Sequence, residues 1–520
     1  MRTQLLAAAA IACFALAGCQ STQTAAVAPP VAEAPAPIAY LDFPVNTASA
    51  EARTHFNAGL AKLDLQDNLA ANREFKAAVA ADPNFALAHL YVGFSGNSTE
   101  EFASNLAAAR QHEATASRAE QLVIQNAQNT FDNNFDAALA NTQALVSENP
   151  QSGRALILHA LNLEGLNRVA DARATWESAL RVAPRVTGVA ILAGNDYLTL
   201  APKDFNRAES LFQQAVALSP EAGAPYDFLG DAHRAQNKLE DARRDYTMAA
   251  ERDPQNGLML QQRGHVNSFL GNYAEARADY DRAVALEDAR GSNLGPTYAV
   301  YRSYVSIYEG KPDDAITELR ALIARVDATN MEGKADLKNF ALTNIAQIAT
   351  NYGRYRIAQT AIDELAANSS AQAQATGNQN FVRTQQANVV FQRGMLAARR
   401  GQQATARRLA AQYATLVAPD ANPRKLEPMH EVLGLAAFQR RDYRTAEAEL
   451  AQANPNDIYV RYHRAVAQAE LGQSEANATF AALAVHNFND PNWAMVRPDV
   501  LARVHPEQRQ TLTQPAPAPR

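Results

Sequence analysis

Small and aromatic residues recur at a fixed spacing in the middle of the chain. One set of four is repeated after 34 residues, as Gly230, Ala242, Tyr246 and Ala249 and then as Gly264, Ala276, Tyr280 and Ala283. This period is typical of paired antiparallel helices stacked in a row. Glycine and alanine let two helices approach closely, and tyrosine fills the gap between successive hairpins. The pattern predicts two helical hairpins between Ala224 and Asp288.

The small residue that opens each second helix can be followed along most of the chain. It stands at Ala71, Ala138, Ala172, Ala208, Ala242, Ala276, Ala315, Ala358, Ala406 and Ala446. Beyond Ala276 the steps grow to 39, 43, 48 and 40 residues. These steps predict longer helices or inserted loops, with loops favoured at 289–296, 331–334 and 368–380. An irregular hairpin is expected near Ser98, which has the spacing of an N-cap to Glu101.

These residues resemble the tetratricopeptide repeat (TPR) family. The resemblance implies an all-α fold, a right-handed superhelical α-solenoid of stacked antiparallel helix hairpins. It predicts a regular solenoid over 49–288 and a degenerate one over 289–485, with room for a break into two segments near residue 290. A chain of 520 residues fits this fold because a solenoid grows by adding units in one dimension.

The N-terminus has the pattern of a targeting signal. An apolar run covers residues 5–17, which is too short for the ~20 residues of a membrane-spanning helix. It ends in Leu16-Ala17-Gly18-Cys19, which resembles the lipobox of bacterial lipoproteins. The resemblance implies a signal peptide over 1–18 and lipid on Cys19, and Gln20 favours the outer membrane. An ordinary signal peptide with a chance cysteine is the alternative.

Two further segments have compositions that do not support a packed core. Residues 19–48 are small, polar and Pro-rich, and we expect them to form a disordered tether after the lipidated cysteine. Residues 486–520 are expected to hold a C-terminal cap segment and a disordered Pro-rich tail.

Charge and motif content argue against several classes of function. The net charge of −6 and the pI near 6.0 argue against a nucleic-acid partner. His430 lacks the second histidine of a His-Glu-x-x-His site, and neither a nucleophile elbow nor a phosphate loop is present. The sequence therefore predicts no catalytic residue, no metal and no cofactor. An envelope enzyme would need a non-repeat domain, and 97–118 and 486–504 are too short for one.

Two surfaces are candidate binding sites. By resemblance to the family, a ligand groove should include Asp227, Asp231, Arg234, Gln261, His265 and Ser268. Residues 381–470 carry 13 basic and 8 acidic side chains, whereas 203–288 carry 10 and 15. Because arginine forks suit carboxylates and phosphates, an anion-binding patch is hypothesised at Arg440, Arg441, Arg444, Arg461 and Arg464. A solvated helix face is the alternative.

Together these features predict a non-enzymatic protein-interaction scaffold, anchored by lipid in the bacterial cell envelope and facing the periplasm. Its expected partners are other envelope proteins or peptides, with membrane contact through the N-terminal lipid only. An alternative is an accessory factor for pilus, outer-membrane or polysaccharide-export assembly whose Arg-rich half binds an acidic ligand. Association of the chain into a homo-oligomer is a further alternative.

Overall fold

The computed structural model describes residues 43–96 and 98–505, in which the regular secondary structure is helical. The first helices are α1 (Ala50–Asp64), α2 (Asn68–Ala81), α3 (Ala86–Ser95), α4 (Thr99–His112), α5 (Arg118–Phe131), α6 (Phe135–Glu148), α7 (Gly153–Gly165), α8 (Val169–Val182), α9 (Thr187–Thr199), α10 (Phe205–Leu218), α11 (Gly223–Ala235), α12 (Leu239–Arg252), α13 (Gly257–Leu270) and α14 (Tyr273–Arg290). The later helices are α15 (Leu294–Tyr308), α16 (Pro312–Asp327), α17 (Lys334–Asn351), α18 (Tyr355–Ala375), α19 (Gln379–Arg399), α20 (Gln403–Val417), α21 (Glu427–Gln439), α22 (Tyr443–Leu450), α23 (Ile458–Glu470), α24 (Glu475–Ala484) and α25 (Pro491–Val504). Consecutive helices pair as hairpins, so the predicted all-α stack of helical hairpins is confirmed.

The alanines predicted to open each second helix occupy one structural position. Each of the ten is the fourth residue of its helix and is fully buried. This holds from Ala71 in α2 to Ala446 in α22, including the stretched part of the chain. A methyl group at this place lets the helices pack closely.

Glycine and an aromatic ring meet inside the regular hairpins. A Cβ atom on Gly194 would lie 2.5 Å from the Phe212 ring, and one on Gly230 would lie 2.7 Å from the Tyr246 ring. Each ring therefore packs on the glycine of its own hairpin. Tyr280 also packs with Val305 of the next hairpin, as expected for a residue that joins neighbours.

Tight turns join the two helices of most hairpins. They contain one residue with positive φ, at Gln66, Asn133, Asn167, Asn237, Gly271, Gly310, Gly353, Gly401, Arg441 and Gly472. Asparagine and glycine tolerate this left-handed conformation best. In the irregular hairpin, Ser98 accepts a hydrogen bond from the Glu101 amide at 2.9 Å, which confirms the predicted N-cap.

Longer helices absorb much of the extra length beyond Asp288. Helices α18 and α19 have 21 residues each, and α14 and α17 have 18. The expectation of a loop over 368–380 is wrong for its first part, because α18 continues to Ala375. The loop expected at 289–296 is short, since only residues 291–293 separate α14 from α15.

The helices form two compact units. The first unit contains the described residues up to His233, together with Glu240–Gln262 and Ala289–Ser292. The second unit contains Arg234–Leu239, Arg263–Asp288 and the described residues from Asn293 onward.

The predicted signal peptide, Cys19, most of the tether and the Pro-rich tail lie outside the described residues. Residues 43–48, at the end of the predicted tether range, pack on the first unit. The Pro44 carbonyl accepts a hydrogen bond from Ser117 at 2.6 Å, and the Asn46 amide donates to Glu120 at 2.8 Å. No helix within the described ranges is long and apolar enough to cross a membrane.

Candidate functional site

The six residues predicted to form a ligand groove are all buried, with exposures between 0% and 9%. Asp227, Asp231 and Gln261 belong to the first unit, and Arg234, His265 and Ser268 belong to the second. Asp231 on α11 accepts hydrogen bonds from the Tyr246 hydroxyl at 2.6 Å and from the Gln262 amide at 3.3 Å. This carboxylate is therefore fixed by its neighbours in the first unit.

In the second unit, the predicted groove residues lie beside a group of tyrosines. Ser268 donates to the Gly264 carbonyl at 2.8 Å, so its hydroxyl is engaged within α13. The His265 ring lies 5.7 Å from the Tyr280 ring and 5.4 Å from the Tyr301 ring, between centroids. Burial raises the pKa of the Tyr280 hydroxyl well above its ordinary value, so the group is neutral. Neutral hydroxyls both donate and accept hydrogen bonds.

An extended segment of the chain contacts these residues. Residues 486–490, here called the linker segment, join α24 to α25 without helical structure. The Asn487 side chain donates to the Asn237 side-chain oxygen at 2.7 Å and to the Arg234 carbonyl at 3.4 Å. The Phe488 ring lies 5.2 Å from the Arg234 guanidinium.

Asn489 makes the second pair of side-chain contacts. Its amide donates to the Tyr280 hydroxyl at 3.3 Å, and its oxygen accepts from the Tyr308 hydroxyl at 3.0 Å. Arg497 on α25 donates to the Phe269 carbonyl at 2.9 Å. We call the surface that receives these contacts the second-unit groove; it is formed by Arg234, Asn237, Phe269, Tyr280 and Tyr308.

Of the residues that form this groove, the sequence analysis named only Arg234 as a binding residue, and it did not predict the position of the linker segment. The one local signal is Asp490 before Pro491, which marks a helix start, since Asp490 caps α25 through the Trp493 amide at 2.7 Å. Nothing in the pattern of residues 486–489 indicates where they lie.

A second candidate site is a cavity of about 50 Å³ in the first unit. Apolar side chains of α1, α3, α7 and α9 line it, together with Asn126, whose buried Oδ1 has no hydrogen-bond partner among the described atoms. At its edge Arg154 donates to Asp64 at 2.6 Å, and both side chains are buried. A cavity of this size holds a few water molecules or one small side chain.

The five arginines of the hypothesised anion patch lie in the second unit with unequal surroundings. Arg440 pairs with Asp442 at 3.0 Å, and Arg464 pairs with Glu447 at 2.9 Å. Arg441 and Arg444 are exposed, and Arg441 has the positive φ of a turn residue. Arg461 is half-buried, and burial lowers its pKa. Part of the charge of this patch is therefore already neutralised.

The titratable groups near the patch show no metal site. Across residues 43–96 and 98–505, no group of three histidine, cysteine or acidic side chains is placed to hold a metal ion. His463 on α23 is buried, and burial lowers its pKa to about 3, so it is neutral. Tyr462 donates to Asp499 at 2.7 Å. The side chains around His463 therefore pack helices against one another.

Comparison with known protein families identifies the repeat in the middle of the chain. Two tetratricopeptide repeat models match the chain, one over residues 200–257 and one over 259–289. Residues 200–257 and 259–289 therefore belong to tetratricopeptide repeats. The matched residues are those with the most regular spacing, and they include three of the fully buried alanines at the fourth position of a helix, Ala208, Ala242 and Ala276. No curated protein matches the chain significantly.

Several solved structures are similar to this chain. A tetratricopeptide repeat protein from Parabacteroides merdae is 14% identical, with 55% of this chain and 97% of that chain covered and a TM-score of 0.34. MamA from Desulfovibrio magneticus RS-1 is 18% identical, with 33% and 97% covered and a TM-score of 0.28. The APC/C hetero-tetramer Cut9-Hcn1 gives 15% identity, with 87% and 76% covered and a TM-score of 0.41.

Proposed function

We propose that this TPR protein is a non-enzymatic scaffold that binds extended segments of other envelope proteins. The observation that carries the proposal is the linker segment. An extended stretch of polypeptide lies in the second-unit groove and is held there by side-chain hydrogen bonds at Asn237, Tyr280 and Tyr308. A surface of stacked hairpins that is preformed in this way receives a peptide at little cost in reorganisation.

The first unit contains the small cavity described above, which can receive one small side chain of a partner. The buried Asp64–Arg154 pair fixes α1 against α7, and the cavity beside it is lined by apolar side chains such as Leu161. A docked segment gains hydrophobic burial there and can satisfy the Asn126 oxygen. The first unit is thus the proposed docking site for a partner.

A photo-crosslinking residue tests this proposal in intact cells. Placed at Leu161, it is expected to give a discrete crosslinked product with an envelope protein. Placed at Met248, which is exposed on α12, it is expected to give none. Equal crosslinking from both positions, or from neither, would contradict a docking site in the first unit.

The proposal places the protein on the outer membrane, facing the periplasm, through lipid on Cys19. Its support is the 13-residue apolar run that ends in Leu16-Ala17-Gly18-Cys19. Several acyl chains hold a protein firmly on a membrane, whereas one chain binds reversibly. The other cysteine, Cys13, lies inside the apolar run and supplies a matched control.

Metabolic labelling with a radioactive fatty acid tests the anchor. The wild type and Cys13→Ala are expected to incorporate label and to sediment with outer membranes. Cys19→Ala is expected to lose the label and the membrane association. Label that persists in Cys19→Ala would overturn the lipid assignment while leaving the scaffold proposal in place.

A further inference from the structure

The linker segment presents its two asparagines inward. Asn487 and Asn489 are each 3% exposed, whereas His486, Phe488 and Asp490 are only half-buried. This alternation is that of an extended strand, in which successive side chains point to opposite sides. Burying an amide is unfavourable unless its hydrogen bonds are replaced, so both asparagines depend on groove partners.

The groove selects an amide at the first position. Three acceptors surround the Asn487 nitrogen, namely the Asn237 side-chain oxygen at 2.7 Å, the Val485 carbonyl at 3.2 Å and the Arg234 carbonyl at 3.4 Å. An aspartate there would bring a carboxylate against acceptors and leave it unpaired. Such mismatches of buried polar groups are strongly discriminating.

The second position is recognised by two hydroxyls. The Tyr280 oxygen accepts from the Asn489 amide, and the Tyr308 hydroxyl donates to the Asn489 oxygen. An alanine would leave both hydroxyls without these bonds. The contacts use side chains, so they depend on the sequence of the bound segment.

We propose that the second-unit groove recognises extended peptides with asparagines two positions apart, and that residues 486–490 are a built-in copy of this ligand bound in cis. This deepens the proposed function, since it names a ligand class for one groove of the scaffold. A tethered ligand has an effective concentration on the order of mM, so it excludes free peptides that bind more weakly. The groove of the intact chain is therefore closed to outside segments until its own copy is displaced.

A labelled peptide tests the proposal on the full chain. The probe is a fluorescein-labelled peptide of residues 484–491, followed by anisotropy. The wild-type chain is expected to show no saturable binding. The full chain with Asn487→Ala and Asn489→Ala is expected to bind the peptide saturably, because its own segment no longer competes. Asn477→Ala, an exposed asparagine on α24, is the control and should behave like the wild type.

Peptide variants test the specificity. A probe carrying Asn487→Asp is expected to lose at least tenfold in affinity for the double-alanine chain. Equal affinity of the two probes, or equal binding of the probe to wild type and double variant, would overturn the proposal.

Folding is checked by circular dichroism of each variant. If the double-alanine chain unfolds, the isosteric chain with Asn487→Asp and Asn489→Asp takes its place and is expected to capture the unmodified probe. Unfolding of both, with Asn477→Ala folded, would show that the segment is a structural filler and would overturn the proposal. The anisotropy measurement uses no envelope partner, so its result is separate from the crosslinking at Leu161.

Discussion

In several hairpins, including that of α9 and α10, a glycine of the first helix faces an aromatic ring of the second. A Cβ atom on Gly194 would lie 2.5 Å from Phe212, and the ring is fully buried, so it has little room to move. We expect Gly194→Ala to destabilise the protein by about 1–3 kcal/mol through overpacking. The free energy of unfolding in urea measures this effect.

Gly165 is the matched control for this substitution. It ends α7, and a Cβ atom there would meet nothing within 4 Å. Gly165→Ala should be neutral or stabilise by up to about 1 kcal/mol, because alanine restricts the unfolded chain. A loss of stability as large as that of Gly194→Ala would contradict the packing argument.

A buried pair of carboxyl groups should make stability depend on pH. Burial and the nearby Asp196 raise the pKa of Glu164 from its ordinary 4.5 to about 8. Trp176 donates to Glu164 at 2.6 Å, and Arg173 donates to Asp196 at 2.7 Å. The folded state holds the Glu164 proton after the unfolded state has released it. The stabilisation is therefore complete below about pH 4.5 and is lost as the pH rises to about 8.

The protonation state of Glu164 sets how the free energy of unfolding changes with pH. Between pH 5 and about 8 the wild type should lose stability, and Glu164→Gln should lose less, because glutamine stays neutral and can accept from Trp176. Urea unfolding at four pH values measures both slopes. Identical slopes in the two proteins would show that Glu164 is ionised in the folded state.

At the scale of the helix, a polar seam extends the hairpin of α17 and α18. The Gln372 amide donates to Asp336 at 2.7 Å, and its oxygen accepts from Asn339 at 2.9 Å. Asn368 donates to Asn339 at 2.9 Å. We expect Gln372→Leu to cost about 1–3 kcal/mol, because the half-buried Asp336 and Asn339 lose their hydrogen bonds to it.

Gln374 lies two residues further along α18 and is exposed, so Gln374→Leu is the control. Its effect on the melting temperature should be close to zero, as for most surface substitutions. If both variants have the melting temperature of the wild type, the hydrogen bonds of this seam do not stabilise the hairpin of α17 and α18.

The same elements show what the sequence reveals. Ala71 and Ala446 were found because close helix packing needs a small residue in every hairpin, which leaves a period in the sequence. The polar run from Asn368 looked like a loop, since composition does not show that its amides have partners on α17. The position of the linker segment could not be predicted from the sequence for a related reason. Asn487 and Asn489 bond to residues 250 and 209 positions away, and such pairings leave no local pattern.

At the scale of the whole chain, charge is distributed unevenly. Residues 203–288 carry 10 basic and 15 acidic side chains, and 381–470 carry 13 and 8. Within the basic stretch, Arg440 and Arg464 already have acidic neighbours, whereas Arg441 and Arg444 are exposed. An acidic ligand would therefore gain most from these two exposed arginines.

We expect the combined change of Arg440, Arg441 and Arg444 to alanine to weaken binding of a labelled oligoglutamate peptide by up to about thirtyfold, or about 2 kcal/mol. The limit follows because an exposed ion pair contributes at most about 1 kcal/mol and Arg440 is shared with Asp442. The difference should shrink as salt is added, since salt screens exposed charges. The control is Arg243→Ala with Arg244→Ala on α12, where two arginines already pair with Glu240 and Asp241. An affinity that is unchanged in the triple variant, or reduced equally in the control, would mean that these arginines form a solvated helix face with no ligand of their own.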